Sequence, residues 1–376
     1  MGRRRTFGNV RKLPSGRYQA RYRDPSGYRH RAPLTFATIA DANRWLSAVE
    51  AQIARGAWVD PRAGVITLAE YANGWLESRP GLRPRTVELY RSLLDRHLLP
   101  LLGERQLAKL TAPVVRHWYA SLLRSSAPRA VTVAKAYRLL RAILNTAVAD
   151  ELIVRNPCTI KGGGVERTPE RPVATIAQVW ALADAVEPRF RALVLTAAFA
   201  GLRFGELAAL TRARVDLAAR TISVVENQVE LSGGVLLIGP PKSEAGRRTL
   251  VIPDALVPEL VAHLDAFVAA DDDARVFTGA TGAPIRRHNW WAKWAAATEA
   301  VGVTGLRFHD LRHTYTTLTA ATGASTRELM HRMGHASAAA ALRYQHATRD
   351  RDVVIAQALN DVIVAGRGKV SSEIDE

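Results

Sequence analysis

Four short stretches in the C-terminal half of the chain carry residue types that could do chemistry. FHDLRHTY, Phe308 to Tyr315, holds His309 and His313 four residues apart with Arg312 between them. AGLRFGEL, Ala200 to Leu207, breaks a helical pattern at Gly201 and then presents Arg203, with Glu206 as a candidate partner. Lys242 stands at the turn between the strand-like stretches GVLLIG and RRTLVIP. HRMGHASAAAALRYQH sets Gly334-His335 nine residues before Tyr344. Each has an ordinary explanation when taken alone. An arginine past a helix end caps carbonyls or pairs with a carboxylate, and a lysine at a hairpin tip is solvated.

Metal chemistry is the first reading to weigh. His309/His313 and His331/His335 are both i, i+4 pairs, which can place two imidazoles on one helix face. A zinc site of the H-E-x-x-H kind needs a glutamate where Asp310 stands, and aspartate is too short for that general base. The fixed charge of Arg312 would repel the cation, and Asp271-Asp272-Asp273 reads as a turn rather than a Mg²⁺ cluster. Phosphate chemistry without a metal fits better. Attack on a phosphodiester spreads negative charge over non-bridging oxygens, which guanidinium forks clamp and imidazoles support. Such a site needs two arginines, one or two histidines, a proton donor for the leaving oxygen and a nucleophile. Arg203, Arg312, His309, His335, Lys242 and a tyrosine fill that set. No cofactor is called for, and GRGKV at Gly366 lacks the spacing and hydroxyl residue of a phosphate-binding loop.

The elements that must position these residues can be read from pattern. Met1 to Arg31 contains ten Arg or Lys residues against one acid, Asp24. Within it, RYQARYRDPSGYRHR alternates like a strand, turns at Asp24-Pro25-Ser26-Gly27 and resumes. TIADANRWLSAVEAQIARG then has helical spacing and a glycine stop at Gly56. Arg17, Arg21, Arg23, Arg29 and Arg31 interleave with Tyr18, Tyr22 and Tyr28, the signature of a sheet that lies on DNA rather than a merely solvated face. Pro61 to Val65 reads as a linker. Four helical segments come next, between Thr67 and about Arg155, with Thr67, Thr86 and Thr111 as expected N-caps. Arginines and lysines on their polar sides suit a bundle lying on phosphates. Asn156-Pro157 closes that unit, and IKGGGVERTPERP is a connector. From about Val173 to Ala365 helices alternate with one β block, whose strands are TISVVENQV, GVLLIG and RRTLVIP. There is no internal repeat, and GRGKVSSEIDE reads as a flexible tail.

Bulk properties agree with a nucleic-acid partner. The chain has 376 residues, enough for two or three domains, and a formal net charge of +17. Its single cysteine, Cys158, cannot form an internal disulfide. ALVLTAAFAGL, the most apolar run, is far short of a membrane span, and MGRRRTFG lacks the apolar segment of a secretory signal. Gly2 and Thr6 match the short myristoylation pattern, but they lead into a basic strand. The expectation is a soluble, intracellular protein with nucleic acid as its polyanionic partner.

The set of residues, in this order, resembles the tyrosine recombinases, which include the phage-type integrases. The match rests on Arg203 in AGLRFGEL, Lys242, the H-x-x-R unit His309–Arg312, His335 in MGH and Tyr344 in RYQHAT. Met333 stands where the family more often has leucine, a volume-conserving change. The resemblance implies a multidomain, mainly α protein with small β-sheets. Residues 1–60 would be an arm-type DNA-binding domain of β-sheet plus helix, 66–157 a four-helix core-binding domain, 172–365 a mixed α+β catalytic domain, and 366–376 a tail. It implies that Tyr344 attacks the scissile phosphate to give a 3′-phosphotyrosyl link, while Arg203, Arg312 and His335 hold the non-bridging oxygens. His309 would assist proton transfer and Lys242 would protonate the departing 5′ oxygen. It further implies a homotetramer on double-stranded DNA with core and arm sites, a host DNA-bending factor, an excision factor, and no metal. His313 and Tyr315 would be structural. A topoisomerase-like strand-cleaving enzyme and a non-catalytic DNA-binding regulator are the rival functions.

Overall fold

Alternation of small or aromatic residues with arginine builds the first sheet. In the computed structural model, which describes residues 6–56, 58–166 and 171–334 together with Gln357 and Asn360, strands β1 (Asn9–Lys12), β2 (Tyr18–Arg23) and β3 (Arg29–Arg31) pair antiparallel in that order. Ala20 and Tyr22 of β2 point inward onto Ala42, Leu46 and Val49 of helix α1 (Ile39–Ala54). The other face carries the charge: Arg21 lies opposite Arg31, and Arg23 opposite Arg29. Like charges placed directly across strands are unfavourable in isolation, a cost that an anion on this face would relieve. The turn is set by Asp24, whose carboxylate accepts from Ser26 Oγ, Tyr28 N and His30 Nε2 and is thereby held at about 2. The sheet is also tied to the segment beyond α1. Trp58 Nε1 donates to Tyr22 Oη at 3.0 Å, and the Arg62 guanidinium lies 3.6 Å from the centre of the Tyr28 ring.

The chain divides into two compact units, Met1–Thr168 and Pro169–Glu376. The rest of the first is helical: α2 (Leu68–Glu77), α3 (Pro84–Leu93), α4 (Leu99–Leu102), α5 (Ala112–Arg124) and α6 (Ala130–Ala149). The 20-residue α6 is its axis, burying Tyr137, Leu140, Ile143 and Leu144 against Leu68, Leu94, Leu98 and Trp118. Thr67 caps α2 in a reciprocal box with Glu70. Thr86 and Thr111 differ from expectation. Thr86 lies inside α3, because Pro84 opens the helix at a position where the missing N–H is not needed. Thr111 holds the N-cap position of α5, but its hydroxyl makes no capping bond. The segment read as one helix through Leu102 is interrupted by a wide turn at Leu94–Leu98, just ahead of Pro100, which has no N–H to continue the ladder.

In the second unit α7 (Ile176–Ala185), α8 (Pro188–Phe199) and α9 (Phe204–Ala209) precede five strands. These are β4 (Val215–Asp216), β5 (Thr221–Val224), β6 (Asn227–Glu230), β7 (Leu236–Gly239) and β8 (Arg248–Val251). Helices α10 (Val257–Phe267), α11 (Arg287–Ala300), α12 (Asp310–Ala321) and α13 (Thr326–Met333) complete it. Helix α8, apolar nearly all round, is the buried centre of the unit. The stretch read as one strand, TISVVENQV, is two: β5 joins β4 and β8, whereas β6 pairs with β7. GVLLIG and RRTLVIP therefore belong to different sheets, and Lys242 lies on the crossing between them rather than at a hairpin tip. No helix among the described residues is long and apolar enough to cross a membrane.

Candidate active site

Gly201 makes the first bend of the site. Its φ is +68°, and a Cβ there would come within 2.2 Å of the Tyr315 ring. The chain can thus end α8, pack its backbone on Tyr315 and deliver Arg203 to the start of α9. Glu206, one turn into α9 and 3% exposed, accepts from Arg203 N at 2.9 Å and from Arg203 Nη1 at 2.7 Å.

Helix α12 supplies the second cation. Arg312 is 4% exposed and donates through Nη1 to Gly201 O and through Nη2 to Met333 O. Arg203 Nη2 reaches the same Met333 O at 3.3 Å and Gly334 O at 3.4 Å. The two arginines, more than a hundred residues apart in sequence, therefore meet at one oxygen atom.

His309 precedes α12 at its N-cap position, one turn before Arg312. Crowding by the surrounding protein, then the charges of Arg312, His313 and Arg203, push its imidazole down to about 4. His309 is nevertheless exposed at the surface, which weakens the effect of crowding, so the downward direction rests chiefly on the neighbouring arginines. His309 is neutral at neutral pH, able to accept a proton. Its ring meets that of His313 edge-on with centroids 5.6 Å apart. Helix α13 ends at Met333, before the second member of the His331/His335 spacing.

Lys242 is exposed, on the segment that leads into Gly246 and β8. That segment abuts the end of α13. Gly334 has φ +57°, and a Cβ on it would stand 2.8 Å from Ala245 O and 3.2 Å from Gly246 Cα. The segment that carries Lys242 thus meets the end of α13 at Gly334. His335 and Tyr344 themselves lie outside the described residues, as does the 366–376 segment. Tyr315 is 5% exposed and accepts a hydrogen bond from Arg332 Nε at 2.5 Å.

One residue that sequence reading passed over is central. Arg248, its side chain 1% exposed, gives Nη2 to Glu206 Oε2 at 2.9 Å and Nη1 to Gly246 O at 3.0 Å. Its Nε donates to Arg332 O at 3.0 Å, and Arg332 Nη2 donates back to Val251 O at 2.9 Å. Strand β8 and helix α13 are locked by this exchange. Burial would raise the Glu206 carboxyl, but the guanidinium groups of Arg248, Arg203 and Arg312 overcome it and hold it at about 2. A signal was present: β8 buries alternate residues, so Arg248 shares the inward face with Leu250. A charge at a core position demands a partner.

In the N-terminal sheet, Arg21, Arg23, Arg29 and Arg31 share one face, and Arg17 is drawn to Thr35 through Nε–Oγ1 at 2.7 Å. Among the described residues, the group whose donors could meet on one ion is Asp24, His30 and Asp60. Its oxygens are already engaged, Asp60 with Arg62 at 2.7 Å and Asp24 with His30 at 2.8 Å.

Comparison with known proteins decides the family. Residues 173–351 match the phage integrase family, 67–123 the N-terminal SAM-like domain of phage integrases, and 6–55 the phage integrase N-terminal domain. A prophage phiRv2 integrase of Mycobacterium tuberculosis is 38% identical over 369 residues, covering 95% of this chain and 96% of that one. The chain belongs to the phage integrase family of tyrosine recombinases. Its activity is site-specific DNA recombination, and the topoisomerase-like and regulator readings give way to that. Solved integrases share the fold. The Tn1549 transposon integrase in complex with a circular intermediate DNA aligns with TM-score 0.69 at 18% identity, covering 78% of this chain and 99% of that one. A lambda integrase tetramer bound to a Holliday junction aligns with TM-score 0.54 at 16% identity, covering 88% of this chain and 96% of that one.

Proposed function

We propose that this integrase inserts and excises a phage or mobile element by transesterification through Tyr344. The observation that carries the chemistry is the convergence of Arg203 and Arg312 on Met333 O, since two fixed cations aimed at one oxygen suit a phosphate. The phenol oxygen of Tyr344 bonds to phosphorus as the P–O5′ bond breaks. The phenol proton passes toward neutral His309, and Lys242 protonates the departing 5′ oxygen. His335 adds a donor to the non-bridging oxygens. Rejoining is the reverse, with the 5′-hydroxyl of another strand as nucleophile, so no nucleotide or metal enters the step.

In this reading residues 1–60 bind arm-type sites, 66–157 the core site, and 172–365 cut. Four protomers act on two duplexes in the bacterial cytoplasm, with a host DNA-bending factor and an excision factor. The test is a nicked suicide duplex of the core site. Wild-type protein and Tyr315→Phe form a covalent adduct, while Tyr344→Phe binds the DNA and forms none. An adduct with Tyr344→Phe would assign the nucleophile elsewhere.

A further inference from the structure

A recess opens beside His309. It has a volume of about 670 Å³, within the range of small-ligand sites, and its lining includes Phe204, Arg287, Trp291, Arg307 and His309. Its aromatic packing is dense behind the surface, with Phe308 edge-on to Trp290, Trp294 and Phe204. Two features there are unexplained by packing. Trp291 is 71% exposed, the most exposed of the large apolar side chains among the described residues, one turn along α11 from Arg287. Trp290, which also lines the recess and is 3% exposed, has an indole N–H with no acceptor among the described residues. A buried donor without a partner is uncommon and unfavourable unless something else supplies one.

The charge around the mouth says what that something is. Arg287 and Arg307 are both exposed there, and the Arg287 guanidinium lies 5.6 Å from the Phe204 ring centre. An uncharged apolar ligand would have no use for them. A nucleotide would, since it joins a flat π-face and ring-edge acceptors to an anionic phosphate. If the scissile phosphate sits at Arg203, Arg312 and His309, neighbouring nucleotides continue at a rise of about 3.4 Å along the strand. The recess is on their path because His309 is part of its wall.

The geometry points to a nucleotide subsite: a base of the cleaved strand next to the scissile phosphate leaves the stack and lies against Trp291, its flanking phosphates on Arg287 and Arg307. This rests on the recombinase reading above and adds a place for the unstacked base. Extrusion costs a few kcal/mol of stacking and pairing, and stacking on an exposed indole returns a comparable amount. Trp291 acts by holding the strand, so it is a binding residue rather than a member of the reacting set.

The experiment compares wild-type protein, Trp291→Ala and Trp291→Phe in adduct formation on suicide duplexes. One duplex is intact; the others replace each base flanking the scissile phosphate, one at a time, by an abasic residue. Trp291→Ala is expected to lose about tenfold or more on the intact duplex while Trp291→Phe retains most activity. At one abasic position the gap between wild type and Trp291→Ala should close, because the base that used the indole is gone. Equal rates for wild type and Trp291→Ala on the intact duplex, or an unchanged gap at every abasic position, would overturn the subsite. Absence of adduct with wild-type protein on every duplex would overturn the recombinase reading itself, and the subsite with it.

Discussion

At the scale of single residues, the site depends on a carboxylate shared between cations. Glu206 faces Arg203 on one side and Arg248 on the other. Arg248→Met leaves a buried carboxylate with half its partners and should cost about 3–5 kcal/mol in urea unfolding. Adding Glu206→Gln should recover part of that loss. A double mutant no more stable than Arg248→Met would show that the pairing is not the source. The sign of the pH effect is set by the Glu206 carboxyl being held at about 2. The unfolded state binds more protons there, so this contribution is complete above the ordinary glutamate range and is lost as pH falls toward 2. His309 is depressed as well, to about 4. Adduct formation should therefore show no His309 inflection between pH 6 and 7. A pH–rate profile with such an inflection in wild type, absent from His309→Gln, would contradict the depressed imidazole. At this scale residue type and order single out Arg203, Arg312 and His309 as groups suited to a phosphate, and the fold brings the two arginines to one oxygen. Arg248 escapes such reading because nothing within RRTLVIP says which of its alternating faces is inward; the register of β8 places it beside Leu250.

At the scale of elements, local signals were legible and partner choice was not. Thr67 with Glu70 three residues on is a self-contained cap, readable from four residues. Strands β6 and β7 form a local hairpin, with Glu230 opposite Leu236, but the pairing of β8 with β5, with Val224 opposite Arg248, is a longer-range matter that no short stretch determines. That choice moves Lys242 from a hairpin tip onto a crossing segment. Helix α13 ends where that segment touches it. Gly334→Ala places a methyl against Ala245 O in a left-handed backbone. It should cost about 1–3 kcal/mol in stability from the backbone alone. It should also lower adduct formation more than core binding, since under the proposed function the damage falls beside the reacting groups. An unfolding midpoint equal to wild type would mean that the end of α13 yields freely.

At the scale of the whole molecule, the proposed function divides the labour between the two ends. Four arginines on one face of the N-terminal sheet stand in two cross-strand pairs. Each arginine that neutralises a phosphate should contribute about 0.9 to the slope of log K against log salt. Replacing Arg21, Arg23, Arg29 and Arg31 by glutamine should flatten arm-DNA binding accordingly and leave adduct formation on an isolated core site unchanged. Loss of core cleavage in that variant would show that the sheet is part of the cutting body. Where to cut the chain for such work is now clearer. The sequence suggests a domain ending at residue 60 and a linker at Pro61 to Val65, but Trp58 and Arg62 hold Tyr22 and Tyr28, so the sheet's own contacts extend through Arg62.

The meeting of Arg203 and Arg312 at Met333 O has a consequence for what the resting enzyme discriminates. The oxygen belongs to the negative end of α13, worth about half an elementary charge, and it sits where two cations would otherwise repel. In the proposed reading, an arriving phosphodiester competes with this carbonyl for the same donors. Hydrogen bonds are traded one for one, and the difference that favours the newcomer is its full charge over a partial one. A duplex with a neutral methylphosphonate at the cut position brings no such difference. It should be held there no more tightly than the helix end it has to displace, which makes the carbonyl a threshold that only an ionised linkage passes.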